Sequence, residues 1–173
     1  MMQKIKQRLI YGPVPSRRLG FSLGIDLVPF KTCSYNCVYC QLGKSAKTTV
    51  GQRPYVSVDT ILAHLSAKLK EAGHTDHITL GGSGEPTLND QVGSLIRQIK
   101  KLTDIPVAIL TNSSLFGDPR VRRSLLEADV VLPSLDAYDE KGFQIINRPH
   151  EDICFDDMVK GLIAFRKEFS GAI

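Results

Sequence analysis

Three cysteines lie close together in the first third of the chain. Cys33, Cys37 and Cys40 stand in the segment CSYNCVYC, with three residues between the first pair and two between the second. Thiolates are soft ligands that bind zinc, copper(I) or iron–sulfur clusters. Because all three stand on one short segment, we expect their sulfurs to surround a single centre.

The number and spacing of these cysteines narrow the kinds of centre. A structural zinc site usually has four closed ligands, often in paired C-x2-C units. Three ligands at this uneven spacing favour instead a 4Fe–4S cluster in which one iron is not bound by the protein. A zinc site, and three unrelated loop cysteines, stay open as alternatives.

A glycine-rich segment, GGSGEP, follows the apolar run at residues 77–80. Glycines such as Gly82 and Gly84 let the backbone come close to a ligand, and the carboxylate of Glu85 could hold an ammonium group. The segment is also a near match to the dinucleotide-binding pattern G-x-G-x-x-G, in a strand–loop–helix context that fits either function. A tight turn without a ligand is the third alternative.

Short polar side chains follow the next two apolar runs. Asn112 stands in TNSSL, and Ser134 and Asp136 stand in PSLDA. Such side chains can bind ribose hydroxyls or a carboxylate, but they also commonly cap turns and helices. Four further basic residues have types suited to anions or substrate but receive no assigned role: Arg17, Arg18, Arg148 and His150.

The elements that must position these residues alternate between strand and helix. Apolar runs predict strands at residues 21–28, 77–80, 107–110 and 130–135. Helices are predicted to begin at Ser57 or Asp59, at Asn89 or Asp90 and at Asp118, and the last spans residues 156–169. This alternation is typical of an α/β fold with a parallel sheet. Ligands of such folds bind at the carboxyl ends of the strands, where all these loops lie.

Composition bounds the class of protein. With 173 residues, we expect one domain, and 42% hydrophobic and 23% charged residues indicate a folded globular chain. The net charge of +4, without long runs of like charge, permits an anionic partner but does not argue for one. No apolar run approaches the roughly 18 residues of a membrane span, and residues 1–10 lack an apolar signal core. We therefore expect a cytoplasmic protein with no membrane partner.

Reduced thiols are expected in that compartment. Cys154, the fourth cysteine, stands far from the other three and next to Phe155. Isolated cysteines commonly behave as small apolar side chains, so Cys154 is predicted to be buried without a ligand role.

The cysteine segment, placed after the first predicted strand and with Tyr39 before its third cysteine, resembles the cluster loop of the radical S-adenosylmethionine (SAM) superfamily. Together with GPVPSRRLGFSLGID, GGSGEPTL, TNSSL and PSLDA, it resembles a subgroup related to wyosine-type tRNA base modification. The resemblance extends over roughly residues 11–165. It implies a fold of parallel (βα) units forming a partial barrel, with a 4Fe–4S cluster and SAM as cofactors.

The resemblance also implies roles for the candidate residues. Cys33, Cys37 and Cys40 would bind the cluster, and the loop containing Gly82, Gly84 and Glu85 would bind the amino group of SAM. Tyr39 would pack near the adenine. Contacts with SAM or substrate are implied for three more residues: Asn112, Ser134 and Asp136.

The implied activity is reductive cleavage of SAM to a 5′-deoxyadenosyl radical that abstracts hydrogen from a substrate. The electron would come from an external flavodoxin- or ferredoxin-like donor. The substrate is unknown, with tRNA a candidate through the subgroup. Two alternatives stay open: a noncatalytic iron–sulfur binding fragment and a zinc-binding module.

The sequence departs from the family at its end. The family core has six βα units, but only about four are recognised here, without a counterpart of the fifth-strand motif that contacts adenine. Residues 1–173 are therefore expected to form the N-terminal part of a radical SAM core domain, incomplete at its C-terminus. An exposed sheet edge would then favour self-association.

Overall fold

The computed structural model describes residues 9–44 and 47–173. Within these residues, five strands form one sheet in sequential order: β1 (Ile10–Ser16), β2 (Gly20–Ile25), β3 (His77–Leu80), β4 (Val107–Thr111) and β5 (Val130–Pro133). β1 is antiparallel to β2, and the other neighbours are parallel. The helices are α1 (Val58–Glu71), α2 (Val92–Leu102), α3 (Pro119–Leu125), α4 (Glu140–Ile146) and α5 (Phe155–Glu168), with a short 3₁₀ helix at Pro86–Leu88.

The sequential strand order decides between two α/β architectures. A doubly wound sheet reverses its strand order at the ligand site, whereas each parallel strand here lies beside the one before it. Consecutive parallel strands that lie side by side are typical of a (βα) barrel. The prediction of an α/β partial barrel is therefore confirmed, with four parallel strands and one antiparallel strand in an open sheet.

Buried apolar side chains join the sheet to its helices. Register pairs such as Leu23 with Ile78, and Ile109 with Val131, are completely inaccessible to solvent. Burial of this kind explains the continuous apolar runs that predicted the strands. A smaller second cluster lies beside the cysteine loop and contains Tyr35, Phe143, Ile153 and Met158.

Local capping signals predicted the starts of α1 and α3. The Ser57 side chain accepts a hydrogen bond from the backbone N–H of Thr60, and Asp118 accepts one from Arg120, so both predicted caps are confirmed. The start of α2 was predicted too early. Asn89 Oδ1 accepts from the N–H of Gln91, and Gln91 is the residue that precedes the helix.

The strand β1 and the helix α4 were not predicted. β1 contains Pro13 and Pro15, which break an apolar pattern but are tolerated in an edge strand that bulges between Tyr11 and Val14. α4 has Phe143 as its one buried residue, so it carries no helical periodicity. Both elements are fixed by tertiary contacts rather than by local pattern.

The last residues of the chain contact the outer edge of β5. The N–H of Val131 donates to the carbonyl of Ala172 at 2.9 Å, and the N–H of Ala172 donates to Asp129 at 3.0 Å. The edge predicted to be exposed is therefore occupied at the beginning of β5. Within the described residues, no helix is long and apolar enough to cross a bilayer.

Candidate metal centre and cofactor site

The three cysteines of the predicted cluster loop line one cavity of about 340 Å³. They lie between β2 and α1, beyond the carboxyl end of β2, and each thiol is half-buried. Two glycines and one tyrosine of the predicted site line the same cavity: Gly82, Gly84 and Tyr39. The structure thus brings together six of the predicted site residues.

The glycine loop after β3 holds the first part of the cysteine loop. The N–H of Lys31 donates to the carbonyl of Ser83 at 2.6 Å, and the N–H of Glu85 donates to that of Thr32 at 3.0 Å. A side chain at Gly84 would collide with the Thr32 carbonyl. The absence of a side chain at Gly84 therefore allows these two loops to pack against each other.

Gly82 has a second packing role. Its φ of +149° lies in the region that favours glycine, and a Cβ there would collide with the carboxylate of Asp26. Asp26 accepts hydrogen bonds from the N–H and hydroxyl of Ser83 at 2.6 and 2.7 Å. Asp26, directly after β2, was not predicted as a site residue, because one aspartate within the apolar run at residues 21–28 has no distinctive spacing.

The segment after α4 holds the middle of the cysteine loop. The N–H of Asn36 donates to the carbonyl of Asn147 at 3.0 Å, and the N–H of Val38 donates to that of Ile146 at 2.9 Å. Loop backbone groups need partners when they leave water, and the end of α4 supplies them. α4, missed by the sequence analysis, is therefore part of the site's framework.

Glu85 is buried at the junction of the loops after β3 and β4, with 2% of its surface exposed. Its Oε1 accepts hydrogen bonds from the N–H and hydroxyl of Thr87 and from the hydroxyl of Thr111, at 2.6–3.1 Å. Its Oε2 accepts from the N–H of Asn112 at 2.7 Å. Burial raises the pKa of this carboxyl, while the hydrogen bonds lower it. Both oxygens therefore have protein partners, and contact with the amino group of SAM stays a prediction.

Asn112 and Asp136 lie beside the cysteine loop. Asn112 Nδ2 donates to Ser34 Oγ at 2.8 Å and reaches Cys33 Sγ at 3.5 Å. Asp136 Oδ2 accepts from the hydroxyl of Tyr39 at 2.5 Å. Tyr39 is 58% exposed at the cavity, which leaves its ring accessible to a ligand. Burial, followed by the hydrogen bond to Asp136, raises the pKa of the Tyr39 hydroxyl.

Ser134 and the four unassigned basic residues are placed differently. Ser134 is exposed just after β5, and its N–H donates to Thr111 at 2.9 Å. Arg17 and Arg18 are exposed in the turn between β1 and β2, at the opposite end of β2 from the cysteines. The remaining two, Arg148 and His150, lie in the segment that holds the cysteine loop. The carbonyl of Arg148 accepts from the N–H of Asn36 at 3.1 Å, and the N–H of His150 donates to the carbonyl of Ser34 at 2.9 Å.

The surroundings of Cys33 and Cys37 raise the pKa of their thiols, so both thiols are protonated before metal binds. Burial raises the pKa of Cys33 to about 11, and the nearby Glu85 carboxylate adds to that effect. Burial also raises the pKa of Cys37. Lys31 Nζ lies 2.8 Å from Cys40 Sγ and donates to it. Iron binds thiolates, so cluster assembly must release these protons.

The donor set fits a 4Fe–4S cluster. Among the described residues, no three His, Cys, Asp or Glu side chains form a group that could hold a single metal ion. In a cluster each thiolate binds a different iron, so thiols spaced around one cavity are a suitable arrangement. Cys33, Cys37 and Cys40 are the residues that would hold it.

Cys154 corrects one expectation. It was predicted to be a small buried residue, but it is exposed at the start of α5. Its neighbour Ile153 and the helical residue Met158 are buried at this turn instead. The side chain of a residue that precedes a helix need not face the core, whatever its polarity.

Two buried residues of the site were missed by the sequence analysis. Tyr35 lines the cysteine cavity, and its hydroxyl has no hydrogen-bond partner among the described residues. Asn147 Nδ2 contacts both Asp136 Oδ2, at 2.9 Å, and Cys37 Sγ, at 3.6 Å. No local pattern identifies them, because their contacts join distant parts of the chain.

Comparison with known proteins gives several similarities. A UPF0026 protein of Methanocaldococcus jannaschii is 40% identical over 167 residues, covering 95% of this chain and 52% of that protein. A UPF0026 protein of Synechocystis is 40% identical over 165 residues, covering 95% and 62%. A Brachyspira hyodysenteriae protein named GTPase Obg is 51% identical over 168 residues, covering 97% and 25%. The chain therefore spans less than two thirds of each of these relatives.

A family model supplies the wider relationship. The model described as the Radical SAM superfamily matches residues 27–172, which include the three cavity cysteines, the glycine loop and Asn112. The chain belongs to the radical SAM superfamily, whose members bind a 4Fe–4S cluster and S-adenosylmethionine.

Proposed function

We propose that this chain provides the cluster- and SAM-binding core of an enzyme that cleaves SAM reductively to start a radical reaction. The observation that carries the proposal is the single cavity lined by Cys33, Cys37, Cys40 and Tyr39. When bound, a reduced cluster supplies one electron that cleaves SAM into methionine and a 5′-deoxyadenosyl radical, which takes hydrogen from a substrate. Zinc and dinucleotide binding are set aside, because the superfamily's cofactors are different.

The chain's own residues would position these groups. The three cysteines would hold the cluster, and the loop at Gly82 would present its backbone to the methionine part of SAM. Tyr39 has its hydroxyl fixed by Asp136 at 2.5 Å and its ring 58% exposed. A ring held in this way can pack against an adenine without first losing rotational freedom.

This chain matches only part of the length of its relatives. The substrate and partners of the whole protein are therefore proposals. We propose a tRNA base as substrate because the sequence resembles the wyosine-related subgroup. A flavodoxin- or ferredoxin-like protein is the proposed electron donor. The part of the β5 edge beyond Val131 is the proposed site of self-association. A noncatalytic cluster-binding module is the second candidate, favoured by the occupied carboxylate of Glu85.

Anaerobic reconstitution with iron and sulfide tests the proposal. We expect the reduced chain to give the electron paramagnetic resonance signal of a 4Fe–4S cluster, and we expect SAM to change that signal. Release of 5′-deoxyadenosine under reducing conditions would support cleavage. A signal that SAM leaves unchanged would support the noncatalytic module instead.

Single cysteine variants provide a matched comparison. Cys33→Ala, Cys37→Ala and Cys40→Ala are each expected to abolish cluster binding. Cys154→Ala removes an exposed thiol outside the cavity and should retain the iron content of the unmodified chain. Equal iron in all four variants would refute the assignment of the ligands.

A further inference from the structure

Each cysteine sulfur of the cavity has a nitrogen donor from a side chain. Lys31 Nζ lies 2.8 Å from Cys40 Sγ. Asn112 Nδ2 lies 3.5 Å from Cys33 Sγ, and Asn147 Nδ2 lies 3.6 Å from Cys37 Sγ. The three donors come from separate parts of the fold: the segment after β2, the end of β4 and the end of α4.

Asn147 is held so that its amide nitrogen faces the thiol. The same nitrogen donates to Asp136 Oδ2 at 2.9 Å, an acceptor that the amide oxygen could not satisfy. The residue is 2% exposed, and its amide oxygen has no partner among the described residues. A buried oxygen without a partner is unfavourable, so the orientation is maintained by what the nitrogen binds.

Asn112 is oriented by hydrogen bonds at both the oxygen and the nitrogen of its amide. Its Oδ1 accepts from the N–H of Ser114 at 3.0 Å. Its nitrogen therefore faces the opposite way, toward Ser34 Oγ at 2.8 Å and the sulfur of Cys33. Both amides are thus set by bonds other than those to sulfur, and the N–H groups are already in place before any cluster binds.

Hydrogen bonds to cluster sulfurs act on the reduction potential. Reduction adds negative charge to the cluster and its thiolates, and a donor stabilises the more negative form more strongly. Lys31 adds a positive charge to its hydrogen bond. Removal of a donor should therefore make the cluster harder to reduce, without removing a ligand.

We propose that Lys31, Asn112 and Asn147 are positioning residues that raise the reduction potential of the cluster through one donor on each cysteine sulfur. This inference rests on the proposed function, because it requires that the three cysteines bind a cluster. It assigns to the end of α4 an electrostatic role in addition to its role in holding the loop. The chemical class of ligand served is a thiolate-bound iron–sulfur cluster.

Redox titration of the reconstituted chain, followed by electron paramagnetic resonance, tests the inference. Asn147→Leu removes the donor at similar volume, and Lys31→Met removes both a donor and a charge. For each variant we expect an about tenfold lower ratio of reduced to oxidised cluster at a fixed potential, which is a shift of about 59 mV for one electron. Lys44→Met is the matched control, since it removes an exposed lysine of the same segment that makes no sulfur contact among the described residues.

The outcomes separate this inference from the proposed function. Normal iron content with unchanged potentials in Lys31→Met and Asn147→Leu would overturn the inference alone. An equal shift in Lys44→Met would also overturn it, because general charge rather than the hydrogen bonds would then be responsible. If Asn147→Leu does not fold, Lys31→Met decides. Failure of the unmodified chain to bind any cluster would overturn both proposals.

Discussion

Replacement of Glu85 by alanine should destabilise the cluster-free chain by about 2–6 kcal/mol. The carboxylate accepts four hydrogen bonds, two from hydroxyls and two from backbone N–H groups. The hydroxyls can rotate to other acceptors, but the N–H groups of Thr87 and Asn112 cannot. A buried donor left without a partner costs about 1–3 kcal/mol, and two such donors give the expected range.

Glu85→Gln separates the network from the charge. Its amide oxygen can replace Oε1 as acceptor, whereas its amide nitrogen would face the N–H of Asn112, donor against donor. One mispaired contact predicts a loss of about 1–3 kcal/mol, smaller than that of alanine. Urea unfolding with linear extrapolation measures the free energy of unfolding of each variant. The values are compared among variants whose m value equals that of the unmodified chain.

Glu151→Gln is the control, because Glu151 is exposed in a loop and its replacement should change stability by less than about 0.5 kcal/mol. If Glu85→Ala is as stable as the unmodified chain, the network around Glu85 does not hold the two loops together. The carboxylate would then be free for the amino group of SAM, as the family resemblance implies. A loss of SAM affinity without loss of stability would establish that alternative.

Three further changes follow from the same site. Burial raises the pKa of Glu85 in the folded chain. The contribution of Glu85 to the free energy of unfolding should therefore be largest below the ordinary carboxyl pKa and should fall as pH rises through the raised pKa. Glu85→Gln should remove this pH dependence from the stability curve. Tyr35→Phe removes a buried hydroxyl that has no partner among the described residues, so the cluster-free chain should gain about 1 kcal/mol in urea unfolding; a loss would reveal a bond that the hydroxyl makes. Gly84→Ala places a methyl group against the Thr32 carbonyl and should cost about 1–3 kcal/mol and reduce iron content, whereas normal values for both would mean that the loops separate easily.

Features with local signals could be predicted from the sequence. The strand at His77–Leu80 was predicted with its observed bounds, and the helix caps Ser57 and Asp118 follow from side chains that bind their own backbone. The cysteine spacing indicated a cluster before any fold was considered. In each case, a few neighbouring residues contain the physical cause.

The rest depends on contacts between residues far apart in the chain. Asn147 is one polar residue among many until α4 places it beside Cys37. Glu85 has the type of a ligand-binding carboxylate, but its engagement follows from the position of the loop after β4. β1 has no apolar run from which it could be predicted. It is held by its hydrogen bonds to β2, and its proline residues are tolerated because it is an edge strand.

The end of α4 binds the cysteine loop across a large separation in sequence, 110 residues in the case of Asn147 and Cys37. Contacts of this length form late, because closing a long loop costs entropy that short-range contacts do not. During synthesis, the cysteines leave the ribosome well before the segment that orders them. The finished cavity therefore depends on residues 110 positions apart in sequence, and the loop that would hold the cluster is kept in place by the end of α4. Local opening of α4 and α5 should then expose the centre to oxidants while the sheet remains folded.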